Sequence, residues 1–149
     1  MKPEHGGLAL KAASNGSLAG LMTGISFHFL SASIALAQGR AVQPKVQALH
    51  AMAAGSHLGC VVGVFGLVKT SLCHSRGDDV FNSLAAGAVA GPSAAVADHR
   101  ILAKTGERAA AVGSFKALQK LPRPVLGAVI LSCYGAAVLT SLDGLFSAV

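Results

Sequence analysis

Tryptophan is absent from this 149-residue chain, and Tyr134 is its only tyrosine. The aromatic belt that marks many membrane–water boundaries is therefore missing. Charge is scarce as well. Charged residues make up 12% of the chain and apolar residues 52%, so the charged share is about half that of an ordinary soluble domain. The cysteines Cys60, Cys73 and Cys133 are too few and too scattered for a disulfide framework. Cys60 and Cys133 fall in apolar stretches, where a thiol acts as a small hydrophobe. Cys73 stands near a segment end with no evident partner. The opening Met1-Lys2-Pro3-Glu4-His5-Gly6-Gly7 has neither the apolar core of a secretory leader nor the Arg/Ser-rich amphipathic character of a transit peptide. Any address is expected within the mature chain. No CxxC, HExxH or phosphate-loop pattern occurs, and no catalytic Ser-His-Asp or Cys-His arrangement is recognisable. Catalytic, metal-binding and cofactor-binding residues are therefore expected to be none. The net charge of +6 lies in loops without interleaved aromatics, so nucleic acid is not an expected partner.

Glycine and alanine fill the space these residues leave. Gly16, Gly20 and Gly24 are spaced by four, as are Gly55, Gly59 and Gly63, and Ser83, Gly87 and Gly91. Each ladder lies in an apolar stretch of about membrane-spanning length. In water a helical glycine costs roughly 1 kcal/mol relative to alanine. In lipid the helix is enforced by internal satisfaction of the backbone. A small-residue stripe then lets helices approach closely. The expected fold is an all-α membrane protein, a single domain over 1–149 forming a compact four-transmembrane-helix bundle. The ladders are expected to pack helices within the chain, or to dock one of them on a partner's helix.

The spans are expected at about 17–37, 48–72, 80–97 and 125–142. The first has no charge between Lys11 and Arg40, and the second none between Lys45 and Lys69. Lys69 can snorkel toward a headgroup. The third span carries Asn82 and Pro92 and is too weakly apolar to face lipid on all sides. It should lie inside the bundle, kinked or ended early by Pro92. Pro124 precedes the fourth, near a helix start where proline is tolerated. Residues 98–123 form a basic loop or a short surface helix. In the helical case Ile101, Leu102, Ala109, Val112, Phe115 and Leu118 lie on one face, and Arg108, Lys116 and Lys120 toward the other. Loops one and three together carry eight basic residues, and the opposite side four. The positive-inside rule places those loops in the inner compartment and both termini outside.

His50 and His57 share a face of the second segment, and His28 lies between Phe27 and Phe29. These read as packing histidines, a metal or proton site being the sharper alternative. Phe65 to Gly91 is the most specific stretch: a helix end, a charged turn and a glycine-striped helix. Asp78 or Asp79 can accept from free N–H groups at the start of the third segment. Arg76 can pair with either aspartate.

That stretch resembles the signature of the mitochondrial inner-membrane translocase family, also called the preprotein and amino-acid transporter family. Phe65 is followed after ten residues by Arg76, Asp79 after six by Ala86-Gly87, and three more lead to Gly91. Two residues separate Arg76 from Asp79, one short of the family pattern. Val62 stands where a small residue is expected, with Gly63 beside it. The resemblance implies four spans with termini in the intermembrane space of the mitochondrial inner membrane. It covers preprotein translocases, plastid-envelope solute channels and an accessory branch of respiratory complex I, the NADH:ubiquinone oxidoreductase. The chain has no long hydrophilic N-terminal receptor segment, no Cys-Pro-Trp opening and no acidic intramembrane residue. The complex I branch is thus the best match. It implies a non-catalytic scaffold packed against core and accessory membrane subunits, with phospholipid, cardiolipin included, at the interface and no cofactor of its own. The alternative is a translocase or channel subunit with a groove lined by Ser14, Asn15, Ser17, Thr23, Ser26, His28, Ser31 and Ser33.

Overall fold

The computed structural model describes residues 3–112 and 120–147, and the regular structure among them is helical throughout. The helices are α1 (Pro3–Ala37), α2 (Pro44–Arg76), α3 (Val80–Ala97), α4 (Arg100–Val112) and α5 (Arg123–Ser147). All but α4 are long and apolar enough to cross a membrane. The chain is a multi-pass all-α membrane protein.

The helices pack in the order α1, α2, α3, α5, with α4 against α5. The bundle is thus an open row. α1 has its substantial contacts with α2, and most of its outer face is exposed, Leu10, Leu18, Phe27 and Leu30 included. α3 is the most enclosed of the four spans, with Asn82, Ser83, Ala86, Gly87, Ala90, Gly91 and Ala94 buried. Its weak apolarity is matched by protein on both sides, as its composition required. Pro92 sits inside α3 without ending it, for the helix continues to Ala97. Only one intrahelical N–H is lost there, and neighbouring helices can support such a break.

Helix ends follow local chemistry. Gly39 takes a left-handed φ of 71° and closes α1. Its N–H donates to the Leu36 carbonyl at 2.9 Å and that of Arg40 to the Ala35 carbonyl at 3.0 Å. This paired pattern is the Schellman cap. Pro44 opens α2, where a missing N–H removes no helix bond. Asp98 caps the turn into α4 by accepting from the Arg100 N–H at 2.9 Å. That bond, aided by nearby basic residues, holds its carboxyl below the usual aspartate range.

α1 is much longer than the span expected for it. At 1.5 Å per residue its 35 residues reach about 52 Å, beyond the ~30 Å of hydrocarbon. Its register against α2 decides which part crosses. Gly16 faces Val62, Gly20 faces Leu58 and Gly24 faces Gly55. The same antiparallel register puts Lys69 level with Leu10 and Lys45 level with Ile34. The uncharged run of α2 therefore lies beside about residues 11–33 of α1, shifted toward the N-terminus from 17–37. Residues 100–112 are helical, and Leu102 and Gly106 meet Gly127 and Arg123 of α5. Val112 ends α4, and Phe115, Lys116 and Leu118 of the expected surface helix lie outside the described residues.

Candidate functional site

Glycine faces bring the helices together. A Cβ at Gly20 would lie 2.6 Å from the Leu58 carbonyl oxygen, and one at Gly24 2.6 Å from the Gly55 Cα. Gly16 faces the Val62 carbonyl in the same way. From the other side, Gly55 faces the Leu21 carbonyl, Gly59 that of Ser17, and Gly63 the Ser17 Oγ. The first two ladders thus oppose each other. The third meets α5, where Gly87 and Gly91 approach the carbonyls of Gly135 and Leu131, and Gly135 approaches that of Gly87. Carbonyls aimed at glycine Cα atoms suit weak Cα–H···O contacts of about 0.5–1 kcal/mol each.

The family-like residues assemble around the α2–α3 corner. Phe65 lies half-buried on α2, and Arg76 ends that helix. Gly77, at φ 88°, turns the chain, and its N–H donates to the Cys73 carbonyl at 2.9 Å. Asp79 caps α3 by accepting from the Phe81 N–H at 3.3 Å. Ala86, Gly87 and Gly91 lie on the buried face of α3. The expected pairing of Arg76 with an aspartate is corrected: Arg76 Nε donates to the Asn82 side-chain oxygen at 2.7 Å. Asn82 is completely buried. Its amide donates to the Gly77 carbonyl at 2.6 Å and to Cys73 Sγ at 3.6 Å. Asp78 accepts from the Cys73 thiol at 3.3 Å. With Asp79 engaged at the cap, the guanidinium meets the first buried acceptor inside the corner, which is Asn82.

A second node joins three helices at the same end of the row. Lys69 Nζ of α2 lies 2.5 and 2.7 Å from the two carboxylate oxygens of Asp143 on α5. Ser83 Oγ of α3 donates to Asp143 Oδ2 at 2.7 Å. The lysine was expected to reach for a headgroup; it is instead drawn back by a carboxylate at its own depth. Asp143 also corrects the expected absence of acidic intramembrane residues, because α5 continues past Leu142 to Ser147. The partly exposed side chains, 22% for Lys69 and 24% for Asp143, edge a cleft of about 290 Å³ that also takes in Asp78, Asp79 and Thr140. A charge pair here fixes three helix ends relative to one another. The signal in the sequence was a lysine and an aspartate near the outer ends of two apolar runs.

Elsewhere two histidines meet across α1 and α2. His50 stacks on His28 with ring centroids 6.4 Å apart, and Phe27 meets His28 edge-on at 6.3 Å. Among the described residues no three His, Cys, Asp or Glu side chains come together to hold a metal. The polar residues of α1 do not gather round one groove. Ser17 faces Gly63, while Ser14, Thr23 and Ser33 donate to carbonyls of their own helix. Asn15, Ser26 and Ser31 have no side-chain partner within the described residues, and all three are exposed. No family model matches the chain, and comparison with curated proteins and with solved structures finds no match.

Proposed function

We propose that the chain is a non-catalytic accessory subunit of mitochondrial respiratory complex I, packed by its outer faces against core and accessory membrane subunits. The observation that carries this reading is the role of the family-like stretch. Arg76, Asp79, Ala86, Gly87 and Gly91 build a helix corner and a close helix contact; they do not converge on a reacting group. The outward seam of α1 adds support. Asn15 and Ser26 have hydrogen-bonding capacity that no side-chain partner meets among the described residues, and a neighbouring transmembrane helix would meet it. In this arrangement the end bearing the 76–80 corner faces the intermembrane space. The basic loops face the matrix, where they attract cardiolipin and other anionic lipids.

The test is gentle solubilisation of mitochondrial membranes and a native gel. Comigration with in-gel NADH dehydrogenase activity is the expected result. Migration with presequence-binding translocase bands would overturn it in favour of a translocase role.

A further inference from the structure

The C-terminal end of α1 carries a groove of about 240 Å³ that changes character along its length. Phe27, Leu30 and Ile34 form its apolar part, each at least half exposed. Gln38 and Arg40 form its polar end, and Ser31 lies between Leu30 and Ile34. From Phe27 to Gln38 the helix rises about 16 Å, from hydrocarbon depth to beyond Ile34, the residue level with Lys45. Arg40 is held there by the Gly39 cap, which folds the chain back so that the Arg40 N–H reaches the Ala35 carbonyl. Its guanidinium has no ion-pair partner among the described residues. None of the residues that line the groove is acidic.

We propose that this groove binds one anionic phospholipid, with its phosphate on Arg40 and an acyl chain along Phe27, Leu30 and Ile34. The volume is below the ~300–1,000 Å³ of pockets that enclose whole small molecules. It suits an amphiphile only part of which is in contact. The apolar-to-cationic gradient matches that amphiphile in order and direction. The negative end of the α1 dipole opposes an anion here, so attraction depends on the one guanidinium. The proposal rests on the chain crossing a membrane. It does not rest on membership of a respiratory complex, so a chain migrating elsewhere on the native gel leaves it standing.

The lack of tryptophan makes the test clean. Phe27→Trp places a single fluorophore in the groove, and Leu30→Trp provides a second, independent reporter. Each full-length variant is reconstituted in phosphatidylcholine vesicles with rising fractions of brominated phosphatidylglycerol or brominated phosphatidylcholine. The anionic lipid is expected to half-quench at about five-fold lower mole fraction, the preference one basic residue confers. Arg40→Gln should abolish the preference with helicity unchanged by circular dichroism, and Arg40→Lys should keep part of it. Arg108→Gln, a basic residue of the same end outside the groove, should leave it intact. Equal quenching by the two lipids with both reporters, or a preference that survives Arg40→Gln, overturns the proposal. So does relief of the preference by millimolar inorganic phosphate, which would make this a phosphate site without lipid.

Discussion

A methyl group is the smallest probe of the glycine faces. At Gly20 it would fall 2.6 Å from a carbonyl oxygen and 2.9 Å from the Gly59 Cα, both backbone atoms that cannot rotate away. At Gly144 it would meet nothing within 4 Å. Gly20→Ala is therefore expected to destabilise the α1–α2 pair by about 1–3 kcal/mol, the usual range for overpacking. Gly144→Ala should be neutral or slightly stabilising. Detergent-unfolding curves of the two variants check this, and equal midpoints would remove the packing argument. Asn82 makes the second prediction at this scale. Asn82→Ala leaves the Arg76 guanidinium and the Gly77 carbonyl without their partner, at about 1–3 kcal/mol. The loss should appear in the same unfolding curves, with faster amide exchange confined to the 73–83 corner. Its function escaped the sequence reading because a buried asparagine beside two aspartates looks like part of one polar turn. Only the backbone path shows which of the three points inward.

Among the elements, α4 starts from a side-chain cap whose protonation state controls it. The Asp98 carboxylate accepts the Arg100 N–H, and its pKa lies below the ordinary 3.8. A depressed folded pKa means that the stabilisation is complete above the unfolded value and is lost as pH falls through the folded one. α4 should thus keep its amide protection from neutral pH to about pH 4 and lose it in its first turn below that. Asp98→Asn should flatten this pH dependence in hydrogen exchange. Unchanged acid sensitivity in the variant would show that another group controls the helix. The existence of the four long helices was legible from apolar run length, and α3's enclosed position from its poor apolarity. The extent of α1 and α5 was not. Charges and polar residues near helix ends look like stops in a sequence, whereas Glu4 and Asp143 both continue their helices.

For the whole molecule, the Lys69–Asp143–Ser83 node is the tie between α2, α3 and α5. Fully buried pairs cost about 3–5 kcal/mol when one partner is removed, and exposed ones about 0–1. With both side chains roughly three-quarters covered, Lys69→Met or Asp143→Leu alone is expected to cost about 2 kcal/mol. The double variant should recover part of that loss in a mutant cycle of unfolding free energies. Strict additivity would mean that the charges act independently. The exposed seam of α1 carries the prediction for assembly. Under the proposed function, Ser26→Phe should reduce incorporation into the respiratory complex on a native gel while leaving the isolated chain's unfolding midpoint unchanged. A normal assembly yield would remove α1 from the partner interface. The chain itself should stay in the pellet after alkaline carbonate washing.

The amino-acid order alone determined the solvent, the number of apolar helices and the close-packed face of the three that carry ladders, because run length, charge position and four-residue spacing are local properties of a helix. It did not determine which face meets which. Any ladder of small residues can accept any neighbour, so the pairing of the first ladder with the second and of the third with Gly135 came only from the assembled backbone. The same holds for Lys69 with Asp143 and for Arg76 with Asn82: partners separated by 74 residues or by a turn are chosen by depth and direction in space, which no periodicity encodes.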